Sequence, residues 1–513
     1  MDMHAHETLV GNLMRELPDA TVVETHISSI ILSRDIVYKL KKPVDFGFLD
    51  YSTLKKRHHC CLEELRSNRR AAAPLYLGLV TITGSPDVPM IEGEGEVIDY
   101  AVKMRRFDEN DQLDHVADEG KMTSRTVDTL ADLVAGFHGE ASAVEANSAY
   151  GEPERVLAPM VENFDLLDAL LDDETLEGVL ADLKVWTLDS FQHLRARIEA
   201  RKQKGFVREC HGDLHLHNIA TFEGELILFD AIEFNPFLSH IDIISDLAFL
   251  VMDLEYRGLN TYATRLLNRY LEHTGDYEGA VLLNFYKCYR AMVRAKVAAL
   301  RLGQHLDPVG AEAVREEVAR YVDLARSYTQ RRIAFLAITH GYSGSGKSTA
   351  ALTAARACSG LRIRSDVERQ RLFAATRGSA EGDMEAGIYT HEATRITYEH
   401  LASLARMLVQ SGLSVIVDAT FLKRWQRKLF EALAEEGGWN LLILDMACDK
   451  ELLKTRLKAR MLKGSDVSEA DLDVLEHQLH SAEPLGDEER RYVAAIDCSS
   501  MERMKKDVTG AMA

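Results

Sequence analysis

The chain has 513 residues, more than one ordinary hydrophobic core accommodates, so two or three domains are expected. Its hydrophobic content of 46% and charged content of 28% exclude a largely disordered chain. Of 61 basic and 81 acidic residues, 26 of each lie within 331–513, so the part before carries the whole net charge of −20 and is a poor general partner for nucleic acid.

In chain order, residues 7–17 read as a short helix, and 22–25, 28–32 and 36–41 as strands, the last two joined by the tight turn Ser33-Arg34-Asp35. A helix is predicted over about 53–70, ended by Ala73-Pro74. Residues 77–82 and 96–104 read as paired strands joined through Glu92-Gly93-Glu94-Gly95. From Ser124 the pattern is mostly helical to about 331, with a loop and short strands near 210–237. The most apolar stretch, 241–254, is broken by Asp242, Asp246 and Asp253, which argues against a membrane span. Beyond 331 the pattern changes: 333–339 is an apolar strand, then come a Gly-rich turn, a helix from Lys347, and short apolar runs at 415–417 and 441–444. Strands separated by helices imply a parallel sheet covered on both faces. The expected domains are therefore 1–105, 106–325 and 326–513. The first residues lack the basic and apolar regions of a signal peptide. Seven cysteines without a CxxC pair suit reduced, inert thiols in a cytoplasmic protein and supply no zinc framework.

Gly341-Tyr342-Ser343-Gly344-Ser345-Gly346-Lys347-Ser348 satisfies GxxxxGK[ST] between an apolar strand and a helix, where a phosphate loop must lie. Glycines let successive N–H groups point at phosphate oxygens, and the following helix, with Thr349 in its first turn, adds its positive end. Lys347 is expected on the β/γ-phosphates and Ser348 on Mg2+. Asp366, at a predicted strand end, is placed to deprotonate a hydroxyl, and Arg369 to hold an anionic acceptor group. Asp418 ends another strand and suits a Mg2+-bound water. Arg456 and Arg460, at i and i+4 ahead of the polar segment 463–470, could close over the transferring phosphate.

A second signature, His211-Gly-Asp213-Leu-His215-Leu-His217-Asn218 followed by Asp230, has the spacing of a phosphate-transfer loop. Asp213 would face the acceptor hydroxyl, Asn218 and Asp230 the metal that bridges ATP phosphates, and His211 would orient the loop. His215 and His217 lack further ligands at zinc spacing that this reading does not already use.

Residues 333–480 resemble the P-loop small-molecule and polynucleotide kinases, a group including gluconate kinase-like and zeta-toxin-like proteins. The resemblance rests on the phosphate loop, Ser365-Asp366-x-x-Arg369, Asp418-Ala-Thr420 and Arg456/Arg460, and it carries the general-base role to Asp366. Roughly residues 25–300 resemble the aminoglycoside phosphotransferase-like kinases, through the HGDLHxxN wording, Leu133-Val-Ala-Gly-Phe137-His138 and Asp242/Asp246. That resemblance implies an α+β two-lobed protein-kinase-like domain with 1–105 as nucleotide-side lobe, ahead of an α/β P-loop domain with a parallel sheet. It implies that Asp246 braces the catalytic loop and that a strand lysine, Lys39 or Lys41, pairs with Glu63 or Glu64. No GxGxxG precedes the lysine strand, which leaves His26-Ile-Ser-Ser29 to cover the phosphates, and Asp230 is followed by Ala-Ile-Glu233.

The expected activity is a bifunctional, ATP- and Mg2+-dependent phosphotransferase acting on hydroxyl acceptors, with a nucleic-acid end an option for the P-loop half. The alternative is a single P-loop kinase or ATPase regulated by a kinase-like binding module.

Overall fold

The computed structural model describes the chain except residues 48, 172–173, 304–306, 331–332, 375–389, 464–471 and 513, and the side chains of 174–175 and 459–463. It comprises two compact units, one formed by Met1–Arg257 with Asn284–Thr329, the other by Gly258–Leu283 with Gln330–Ala513.

The first unit begins with helix α1 (Met3–Glu16) and strands β1 (Thr21–Glu24), β2 (Ser28–Ser33) and β3 (Ile36–Lys41). Helix α2 (Leu54–Ala72) and strands β4 (Tyr76–Ser85), β5 (Val88–Ile91) and β6 (Val97–Arg105) follow. The strands form one antiparallel sheet in the order β1-β2-β3-β6-β4-β5. The alternation along β3 decides where its side chains go. Tyr38 and Leu40 join Leu9 and Leu13 of α1 in one core, so Lys39 and Lys41 face the side occupied by α2. β4 and β6 pair as expected. They are not a simple hairpin, because β5 adds to the far side of β4 and the Gly93/Gly95 segment leads back from it. The proline in β5 hid this edge strand, where a missing N–H is tolerated.

Helices α3 (Leu113–Asp118), α4 (Ser124–Glu140), α5 (Pro153–Leu170) and α6 (Glu174–Gln203) begin the helical lobe. Strand β7 (Val207–Glu209) feeds the 210–218 loop, the hairpin β8 (Ile219–Phe222)–β9 (Glu225–Leu228), a turn of helix α7 (Pro236–Ser239) and β10 (His240–Asp242), which returns to pair with β7. Helix α8 (Ile243–Tyr256) is buried along nearly its whole length. The three aspartates that interrupt its apolar run are buried too, and each accepts a backbone N–H: Asp242 from Ile244, Asp246 from His211 and Gly212, and Asp253 from Leu216. Phe249 and Met252 of α8 share a core with Leu167, Leu183 and residues of α10 (Leu283–Leu300) and α11 (Pro308–Thr329). A β-sheet lobe carrying the lysine strand, joined to a helical lobe carrying the 210–218 loop, is the two-lobed protein-kinase-like fold.

The second unit contains α9 (Asn260–Thr274) in addition to the C-terminal part. Five parallel strands run in the order β12 (Leu361–Arg364), β13 (Val415–Asp418), β11 (Phe335–His340), β14 (Asn440–Ala447), β15 (Val493–Asp497). Helices α12 (Lys347–Cys358), α13 (Ser365–Phe373), α14 (His391–Gln410), α15 (Arg424–Gly437), α16 (Lys450–Lys463), α17 (Leu472–Ser481) and α18 (Met501–Met512) connect and cover them. This is the α/β P-loop arrangement, with the loop strand β11 at the centre. Two parts of it differ from the sequence reading. The short strand β15, Val-Ala-Ala-Ile-Asp after a charged stretch, carries too little apolar pattern to announce itself. The segment Gly258–Leu283, expected in the helical lobe, groups with this sheet. Its Asn268 acts as a substitute strand for the β12 edge, donating to Gly360 O at 3.0 Å and accepting from Arg362 N at 2.6 Å, which satisfies an edge that would otherwise be open to pairing. Among the described residues no helix is long and apolar enough to cross a membrane.

Candidate active sites

In the first unit one carboxylate organises the lysine strand. Glu64, fully buried on α2, lies 2.9 Å from Lys39 Nζ and 2.8 Å from Lys41 Nζ. Both lysines therefore share Glu64, whereas Glu63 pairs with Arg66 at the surface. Lys39 also meets Asp230, and Lys41 meets Glu233, whose Oε1 accepts the Tyr51 hydroxyl at 2.7 Å. Burial alone would push both ammonium groups down. Asp230, Glu64 and Glu233 around Lys39, and Glu233 and Glu64 around Lys41, outweigh it and hold both charged. Burial pushes Glu64 up, but the two lysines bring it down to about 2.

The pairing has a measurable consequence. Breaking a buried ion pair on one side costs about 3–5 kcal/mol, so Glu64→Gln should lower the stability of β3 and α2 by roughly that order. A carboxyl depressed in the folded state contributes fully above its unfolded value, about 4.5, and loses the contribution as the pH falls towards about 2. Hydrogen exchange of β3 and α2 amides in the full chain should show a parent–variant gap that closes over that window. A gap independent of pH would remove Glu64 ionisation as its origin.

The 210–218 loop is held from beneath. Asp246 accepts the N–H groups of His211 and Gly212, both at 2.9 Å, and its Oδ2 lies 3.1 Å from His138 Nε2. Arg290 donates to Gly212 O at 3.0 Å, and His211 Nε2 lies 2.9 Å from Phe229 O. Gly212 has φ +84°, and a Cβ there would stand 2.7 Å from Leu238 O, so no other residue fits. On top, Asn218 Nδ2 donates to Asp213 Oδ2 at 3.0 Å, and His215 Nε2 lies 3.2 Å from the same oxygen. Burial disfavours the Asp213 charge, but His215 and then Arg294 hold its carboxyl below the usual range, so it is an anion able to accept a proton. Asp230, half exposed and in a left-handed conformation with φ +62°, is fixed from both sides: its N–H donates to the Tyr76 hydroxyl and the next N–H to Asn68 Oδ1. Tyr51, Tyr76 and Asn68 escaped the sequence reading, because nothing local ties them to the loop, and Glu233 stood out there only as a departure after Asp230, without its partners Lys41 and Tyr51. His217 lies 2.9 Å from Asp114, away from His215's partner. Ser29, proposed with His26 to cover phosphates, has its hydroxyl against His6 and Glu24.

In the second unit the chain turns at Gly341, Gly344 and Gly346, with φ of +151°, +82° and +94°. A Cβ on Gly341 would lie 2.9 Å from Met446 Cβ, and one on Gly344 3.1 Å from Leu453 O. Lys347 donates to Tyr342 O at 2.6 Å across the loop. The Ser343 N–H donates to Gln478 Oε1 at 2.9 Å, and Gln478 Nε2 returns a bond to Ser343 Oγ at 3.0 Å, a clasp from α17 that the sequence did not signal. Ser348 is in the first turn of α12 and its hydroxyl helps hold down the carboxyl of Asp418, which ends β13 beside the loop strand. Asp418 is buried and its Oδ2 has no hydrogen-bond partner. Burial raises its pKa, against Arg362, Arg364 and Lys347. The Asp418 Oδ2 stands 3.9 Å from both Arg362 and Arg364 without a hydrogen bond to either, and a carboxylate oxygen with spare lone pairs near a hydroxyl suits a hard cation, so Ser348 and Asp418 fit Mg2+. Glu272 of α9 holds both flanking arginines, at 2.7 Å to Arg362 and 2.6 Å to Arg364.

β12 places Asp366 in the first turn of α13, one strand over from Asp418, since Arg364 and Asp418 are register partners. Arg369 is nearly buried and donates to Thr394 Oγ1 at 3.3 Å. Arg456 does not stand out over the loop as a lid. Its guanidinium donates to Cys498 O at 2.7 Å and reaches Ser345 O at 3.4 Å, so it buttresses the loop from the side. Arg460 is on α16, but its side chain and the segment 464–470 lie outside the described residues.

Residues 336–485 match an AAA domain family. Over 452 residues, 88% of each chain, the protein is 29% identical to Rv2004c of Mycobacterium tuberculosis, an uncharacterized protein. Among solved structures, a gluconokinase from Sinorhizobium meliloti aligns with 36% of this chain and 93% of its own at 20% identity and a TM-score of 0.27. The aminoglycoside phosphotransferase APH(2'')-Ib aligns with 64% of this chain and 99% of its own at 14% identity and a TM-score of 0.33.

Proposed function

We propose that the protein is a bifunctional ATP-dependent phosphotransferase with one nucleotide site in each unit. The observation that carries this reading is that each unit gathers a complete set of phosphate-handling groups from distant parts of the chain: Lys39, Glu64, Asp213, Asn218 and Asp230 in one, and Lys347, Ser348, Asp366 and Asp418 in the other. Bound Mg2+ would neutralise charge between ATP phosphates. Asn218 and Asp230 would hold it in the first site, Ser348 and Asp418 in the second.

In the first site Lys39, kept charged by Glu64, orients the nucleotide phosphates, and Asp213 takes the proton of the acceptor hydroxyl as its oxygen attacks the γ-phosphorus. Asn218 and His215 fix the Asp213 carboxylate for that transfer. In the second site the 341–346 backbone and Lys347 cradle the phosphates, Thr349 adds to the first helical turn, Asp366 serves as base and Arg369 positions the acceptor. The acceptors are hydroxyl compounds, with a small molecule or a nucleic-acid end open for the P-loop unit. The sheet lobe is assigned to 1–105, the helical lobe to 106–325 without Gly258–Leu283, and the P-loop unit to 326–513 together with that segment.

The alternative, a P-loop kinase or ATPase regulated by a kinase-like first unit, rests on the missing Gly-rich loop and on the lysine; the Lys39–Glu64–Asp230 cluster speaks against the second ground and leaves the first. Calorimetric titration of the full chain with MgATP should count two sites. A count of one would defeat the two-site reading in favour of the regulatory module.

A further inference from the structure

Two of the seven cysteines meet where strands β14 and β15 end. The strands are parallel and in register to Ala447 and Asp497, so Cys448 and Cys498 follow as the next pair, with Cys498 N–H donating to Ala447 O at 3.3 Å. The parallel register sets the two side chains next to each other, and Cys498 Sγ donates to Ile496 O at 3.5 Å. Cys448 is half-buried and open to solvent, while Cys498 is fully buried behind it. Arg456 spans the pair, with Nη1 3.6 Å from Cys448 Sγ and Nη2 on Cys498 O. Cys448 Sγ also lies 3.7 Å from Ser345 O of the phosphate loop.

We propose that Cys448 and Cys498 form a redox modification site in which a hydroperoxide oxidises Cys448 and Cys498 closes the disulfide. The arrangement divides the labour: an accessible sulfur beside a guanidinium reacts first, and a sheltered thiol at the adjoining strand end resolves it. The Cys448 thiolate attacks one peroxide oxygen and the O–O bond breaks. Cys448 becomes a sulfenic acid, and the departing oxygen takes a proton and leaves as water or alcohol. The Cys498 sulfur then attacks the Cys448 sulfur; the S–S bond forms, the S–O bond breaks, and the hydroxyl leaves with the Cys498 proton as water. The peroxide gains two electrons and the two thiols lose them.

The surroundings favour this pair over the other five cysteines. The neighbouring Cys498, helped by Arg456 and Lys347 against burial and Asp449, brings Cys448 down to about 7, and Cys448 together with burial pushes Cys498 up, so only the first sulfur is poised as a thiolate. Burial pushes Cys60 and Cys358 up to about 11 and Cys61 and Cys288 up to about 12, and it raises Cys210 as well. Cys60 and Cys61 are neighbours on α2, where side chains at i and i+1 diverge.

The test is limiting hydrogen peroxide on the reduced full chain at neutral pH, followed by alkylation and peptide mapping. The free thiol count should fall from seven to five, with one intramolecular Cys448–Cys498 link that dithiothreitol reverses. Cys498→Ser should leave Cys448 as a sulfenic acid that dimedone traps, and Cys448→Ser should leave Cys498 a free thiol. Seven thiols retained in the parent, or a link through any other cysteine, would overturn the proposal, and that mapping does not depend on how either variant folds.

Discussion

Lys347→Ala should abolish nucleotide turnover at the phosphate loop. The ammonium lies on the loop's own carbonyl and next to the Asp418–Ser348 pair, so alanine deletes the mobile positive charge of the site and leaves the backbone cradle in place. Removing one preorganised charge-stabilising group commonly costs about 3–4 kcal/mol, on the order of 10²–10³-fold in rate. Calorimetry of the full chain should lose one of two MgATP sites. In an Asp213→Asn background, where only the second chemistry remains, label transfer from γ-labelled ATP to pools of metabolites and 5′-hydroxyl oligonucleotides should cease. Two sites of undiminished affinity would take Lys347 out of the mechanism.

Asp213→Asn is expected to act in the other unit with comparable force. The amide keeps the shape of the loop, since Asn218 and the Asp246 brace do not depend on the Asp213 charge, yet it cannot take a proton. Loss of a positioned general base costs about 10²–10⁴-fold. Measured in a Lys347→Ala background, transfer to the metabolite pool should fall by that order while one MgATP site persists. Retained transfer would show that another group takes the proton; loss of ATP binding would show that the carboxylate is needed for the nucleotide.

Why these two residues could be chosen from sequence, and others not, follows from range. The phosphate loop is written in eight consecutive residues, because a backbone cradle needs glycines and a lysine at fixed local offsets. The Asp213–Asn218 pair is equally local. The Lys39 cluster joins β3 to α2 and to Asp230, far along the chain, and a strand with two lysines on one face gives no sign that both would share Glu64. Glu233, Tyr51 and Gln478 are legible only once the sheet and helices are assembled. Arg456 was placed on the correct helix, but its aim was not readable: spacing fixes a helix face, whereas the neighbour opposite that face, here Ser345 and Cys498, comes from packing.

Helix α9 carries a consequence for the gene as well as for the site. It is synthesised before any strand of the sheet it completes, so Asn268 and Glu272 must wait for Arg362 and Arg364 to emerge, and the sheet itself closes only with β15. The coding sequence for the second unit is thus split by that of α10 and α11. A gene fragment beginning at residue 330 would encode a sheet with a bare β12 edge and two arginines lacking their carboxylate. Recombination at that point would part the sheet from its own helix, whereas a break that keeps Gly258–Leu283 with the sheet would not.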